Sequence, residues 1–105
     1  MLSSSREDIQ EDFDALHTIV SRMLGHSYDA LTTPERLALL ERLEQETRLL
    51  RVPGHELINQ IAEQSNSTEL GGKLSHALAD RLCVTRSEAS RRIAEAAPIW
   101  GDGAH

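Results

Sequence analysis

The sequence predicts an all-α protein, a small bundle of about five helices ending in a helix-turn-helix. Three observations predict it. Leu, Ile and Ala supply most of the apolar residues, and only Phe13, Tyr28 and Trp100 are aromatic, a composition suited to helix-on-helix packing rather than to a sandwich. Apolar positions recur every three or four residues along most of the chain. Proline, glycine and capping residues punctuate those runs at intervals expected of helices. A single helical domain over residues 1–97 is expected, with 98–105 as a flexible tail.

The first helix is read from Ile9, Phe13, Leu16, Val20 and Met23, which lie on one stripe of an amphipathic helix. Ser5 followed by Asp8 is a reduced capping box at its start, and Gly25 is expected to end it. Thr32-Thr33-Pro34-Glu35 places a capping hydroxyl ahead of a proline, so a second helix begins there. Leu37, Leu40, Leu43, Thr47 and Leu50 form its stripe. Glu35, Arg36, Glu41, Arg42, Glu44, Glu46 and Arg48 form an outer face whose alternating signs suit plain solvation. Pro53-Gly54 is expected to break this helix, which assigns Leu57, Ile58, Ile61 and Ala62 to a third. Gln64 to Gly72 reads as a loop with room for a short turn. Two last helices are expected at about 73–82 and 86–97, stopped by Pro98.

Residues 78–93 carry the most information. Two short helices that cross steeply over a tight turn need small residues where they touch, and Ala79 and Ala89 suit those places. Leu78, Leu82, Val84 and Ile93 are spaced to close the apolar corner beneath. Thr85 is a good N-cap, and Glu88 is expected to complete a capping box with it. With Ala89, Ile93 and Ala96 turned inward, Arg86, Ser87, Ser90 and Arg91 project outward near the helix N-terminus, and Arg92 lies at the flank. Arginine and serine at those positions are the side chains a recognition helix uses on base edges and phosphates. The stretch looks like the helix-turn-helix of bacterial regulators, with one departure. Glycine usually stands where Cys83 is, because a left-handed residue other than glycine costs about 1–2 kcal/mol. A differently opened turn is therefore expected, with Cys83 as a small, buried or half-buried apolar residue.

The formal charge of −6 is unevenly spread. Six Arg stand against thirteen Asp and Glu up to Gly71, whereas Lys73, Arg81, Arg86, Arg91 and Arg92 then face only Asp80, Glu88, Glu95 and Asp102. The acidity belongs to the first two-thirds, and the last third gathers arginines. No run approaches the roughly twenty apolar residues of a membrane span, and the polar N-terminus is no secretory signal. One cysteine excludes an internal disulfide, and a cytoplasmic setting is expected.

His17, His26, His55, His76 and His105 lack the spacing of a zinc ligand set, so no metal and no cofactor are expected. Gly71-Gly72-Lys73 lacks the upstream glycine and strand of a phosphate loop and reads as a helix entry. No catalytic residues are assigned, and a small-molecule substrate is not expected.

Asp29 to Glu35, Arg42-Leu43-Glu44, His55 to Gln60, Glu69 to Gly72 and Glu88 to Ala96 keep a common spacing. Over about Asp29 to Ala97 they resemble the bacterial 13E12 repeat family, whose N-terminal part is a domain of unknown function numbered 222. The resemblance implies a helical, DNA-linked domain that in longer members precedes an HNH nuclease-like module. It implies no mechanism. The chain has no counterpart of that module and is expected to be a truncated copy or a gene that keeps only the N-terminal domain. The expected function is DNA binding by Arg86, Ser87, Ser90, Arg91 and Arg92. The alternatives are a dimerisation or protein-interaction module, with the helix from Pro34 to Leu50 packing on a second copy, and an inactive remnant of a nuclease-associated protein. An enzyme is not expected.

Overall fold

Every regular element of the computed structural model, which describes residues 4–98, is a helix, and no strand occurs among the described residues. The helices are α1 (Arg6–Gly25), α2 (Thr33–Gln64), α3 (Ser67–Leu70), α4 (Leu74–Leu82) and α5 (Arg86–Ala96). Beyond Pro98 the expected tail lies outside the described residues. The number of helices agrees with the sequence only because the one-turn α3 stands in for a longer helix that does not exist separately.

The chain divides into two units, one reaching Ala38 and one starting at Leu39. In the first, the Ser5 hydroxyl accepts the Asp8 N–H at 3.0 Å and starts α1 as expected. α1 does end at Gly25, but through an extended His26 rather than a left-handed glycine. The Tyr28 hydroxyl then donates to the Met23 carbonyl at 2.7 Å, and the Arg36 guanidinium donates to the carbonyls of Tyr28 and Asp29. Thr32 and Glu35 make a full capping box: the Glu35 carboxylate accepts the Thr32 N–H at 2.8 Å and the Thr32 hydroxyl accepts the Glu35 N–H at 3.3 Å. The first of these bonds holds the Glu35 carboxyl below its usual range.

Pro53 does not end α2, which corrects the expected break and the separate third helix. Proline removes one N–H and crowds the carbonyl four residues back, here Leu49. Leu49, Arg51, Val52 and Pro53 are all exposed, so water reaches that region. Continuing the helix carries Ile58 onto the core of the second unit and lets the Asn59 amide donate to the Ala96 carbonyl at 2.7 Å. Tertiary packing outweighs the local break signal. Asn66 and Glu69 form another reciprocal cap, around α3, inside the stretch read as loop.

The core of the second unit is Leu78, Ala79 and Ala89, with Ile58, Leu74, Val84 and Ile93 packed against it. Ala96 is also buried. Leu82, expected in this corner, is instead exposed, and Leu74 and Ile58 take its place. No helix among the described residues is long and apolar enough to cross a membrane.

Candidate nucleic-acid interface

The turn between α4 and α5 decides where α5 begins. Cys83 sits in the left-handed region, at φ 58 and ψ 44, and is the only described residue other than glycine with a positive φ. The expected open turn is therefore not adopted. The backbone takes the conformation that glycine usually supplies, and Cys83 carries the strain. Its side chain is exposed, which also corrects the expectation of a buried thiol. In this kind of ending the apolar contact is made by the residue after the left-handed one, which leaves Cys83 outside. The Val84 N–H then reaches back to the Ala79 carbonyl at 3.0 Å, and the Val84 side chain folds onto the core. This is the wrap-back expected of a Schellman ending.

Thr85 follows as an N-cap with extended backbone, its hydroxyl accepting the Glu88 N–H at 3.0 Å. The reciprocal half of the expected capping box is missing. The Glu88 carboxylate faces away from Thr85 toward two arginines of its own helix. It accepts the Arg91 Nε at 3.0 Å and the Arg92 Nε at 2.8 Å, and a second Arg91 nitrogen also pairs with it. The remaining Arg91 nitrogen donates to Glu95. The hydrogen bonds from Arg91 first, and from Arg92 second, draw the Glu88 carboxyl down to about 2. The same bonds raise the Arg91 guanidinium.

The five expected site residues thus fall into two groups. Arg86, Ser87 and Ser90 are exposed on α5, and Arg86 makes no ion pair among the described residues. Arg91 is exposed but held between Glu88 and Glu95, and Arg92 is half-buried and held by Glu88. A phosphate approaching Arg91 has to compete with two carboxylates already in place. From sequence, Glu88 is assigned to the cap and Glu95 counts only as a charge, and neither is paired with the arginines. Their signal is spacing: three and four residues from Arg91, and four from Arg92, are helix-surface neighbours. Among the described residues no group of three His, Cys, Asp or Glu side chains is placed to hold a metal ion.

A family model described as a domain of unknown function, DUF222, matches residues 37–100. An uncharacterised protein of Mycobacterium tuberculosis (strain CDC 1551) is 60% identical over 98 residues, covering 93% of this chain and 23% of the relative. Another uncharacterised protein of the same species (strain H37Rv) is 52% identical over 99 residues, covering 94% of this chain and 22% of the relative. An uncharacterised protein of Mycobacterium bovis is 55% identical over 96 residues, covering 91% and 21%. The chain spans less than a quarter of the length of these relatives. No solved structure matches it.

Proposed function

Because this chain belongs to the DUF222 family, whose described role is unknown, we propose a function from its own geometry: it is a DNA-binding module in which α4 and α5 act as a helix-turn-helix. On this reading α5 is the recognition helix, Arg86, Ser87 and Ser90 meet the groove, and Arg91 and Arg92 serve the flanking phosphates. The observation that supports it is the start of α5. A left-handed turn and the Thr85 cap end at Arg86, leaving a guanidinium with no ion pair among the described residues and two hydroxyls on the exposed side. Arginine there can reach guanine edges with two hydrogen bonds, and serine can reach bases or phosphate. The module is a binder rather than a catalyst. The resemblance to the 13E12 repeat family implies a DNA-linked role, and on this reading the segment brings a longer protein to its substrate.

The acidic balance of the whole chain makes general phosphate attraction weak, so binding rests on few cations. Two or three phosphate contacts predict a log–log salt slope of about −2 to −3. The test is titration of labelled duplex, first from an unbiased selection and then at several salt concentrations. Arg86→Ala is expected to cost more affinity than Arg91→Ala, since Arg91 must first leave Glu88 and Glu95. Affinity indifferent to salt, or equal for Arg86→Ala and the parent chain, overturns the reading.

A further inference from the structure

One face of α2 is covered at one end and bare at the other. Ile58 packs on the core, and Ile61, on the same face one turn further on, is half-buried. Two to five turns earlier, Leu40, Leu43 and Leu50 lie on that face with 61%, 47% and 49% of their surface exposed. Thr47 stands between Leu43 and Leu50. Its hydroxyl is spent on the Leu43 carbonyl at 2.8 Å, which leaves the methyl group to continue the apolar stripe. A row of three leucines and a methyl has no partner among the described residues of the second unit.

The charges beside that row say what fits it. Along one edge run Glu41, Glu44, Arg48 and Arg51, spaced three, four and three residues apart, acidic first and basic last. All four are exposed, and the Glu44–Arg48 pair at 3.2 Å is open enough to be shared. Antiparallel helices bring the same edge of each together with the order reversed. A two-fold axis between Leu43 and Leu50 sets Leu43 of one copy opposite Leu50 of the other. It also sets Glu41 and Glu44 near the Arg51 and Arg48 of that second copy. The edge is therefore complementary to itself when inverted.

We propose that α2 pairs antiparallel with α2 of a second copy of this chain through Leu40, Leu43, Thr47 and Leu50. The reading stands apart from DNA binding, since none of these residues is in α4 or α5. The interface is small, so the association is concentration-dependent rather than permanent. It is also symmetric, as closed dimers require.

The experiment is the mass of the full chain in solution by light scattering and sedimentation over a wide concentration range. The parent is expected to climb from 11.7 kDa toward twice that value. Leu43→Glu is expected to stay at the single-chain mass with the helix content of the parent by circular dichroism. Should that variant lose helix, Leu43→Ala takes its place. Glu41→Arg with Glu44→Arg, and separately Arg48→Glu with Arg51→Glu, each carry one sign along the edge and are expected to stay single. Mixed one to one, the two are expected to associate. A single-chain mass at every concentration, association untouched by the Leu43 substitution, or a mixture no heavier than its components overturns the proposal.

Discussion

Ala89 has 0% of its surface exposed, whereas Phe13, the only phenylalanine, has 51%. The short helices α4 and α5 bury Ala79, Ala89 and Ala96 together with Leu78, whereas the long helices α1 and α2 leave most of their Ile, Leu and Phe in water. Hydrophobicity alone predicts the reverse. The difference lies in the backbone. A left-handed residue at Cys83 and a cap at Thr85 turn the chain within three residues, and two helices brought that close need alanines at Ala79 and Ala89, beside Leu78, where they meet. Nothing comparable constrains α1, whose stripe is regular but whose packing within its own unit is slight. Burial in this chain follows the sharpness of the turns more than the size of the side chains.

The most direct way to break this comparison is Ala89→Asp. An unpaired carboxylate at a position with no exposure is expected to cost about 3 kcal/mol or more. Hydrogen exchange should show protection lost in both α4 and α5, and retained protection there would mean the corner is not held by alanine contact. Cys83→Gly sharpens the same point with opposite sign. Relief of the left-handed strain is expected to stabilise by up to about 1 kcal/mol, read as a higher denaturation midpoint. Phe13→Gln should change stability by no more than about 0.5 kcal/mol despite removing an aromatic ring, because the ring is already half in water. A large drop in the melting temperature would place Phe13 in a core.

The smallest effect belongs to Glu88. Its carboxyl is held at about 2 in the folded chain against an ordinary 4.5, so the unfolded chain binds the proton more readily. Stability from the Arg91 and Arg92 bonds is therefore complete above about pH 4.5 and disappears as pH falls toward 2. The gap in melting temperature between the parent and Glu88→Gln should be present at neutral pH and close across that window. A gap independent of pH would mean that the carboxylate charge is not what holds the arginines.

Much of the fold was legible in the residues. The starts of α1, α2 and α5 follow from Ser5, the Thr32-Thr33 pair and Thr85, because a capping hydroxyl acts on its own next turn and needs no distant partner. The inward face of α5, with Ala89, Ile93 and Ala96, was equally readable from period. Pro53 misled because its cost is local while the gain from Ile58 and Asn59 comes from residues far along the chain. Leu82 misled because its period fits the corner, yet the turn at Cys83 leaves it outside. In the candidate interface the residue types were readable, but their engagement was not. Arg86 and Arg91 look alike in a list of cations, and only Glu88 and Glu95 set them apart.

The strained position between α4 and α5 offers a practical opening. Cys83 is the sole sulfhydryl of the chain and stands in solvent at the pivot of the two helices. A thiol-reactive dye coupled there needs no engineered variant and occupies no position assigned to a ligand. Its emission and anisotropy would register a duplex settling on α5, or the corner springing open, from the same spot in one titration.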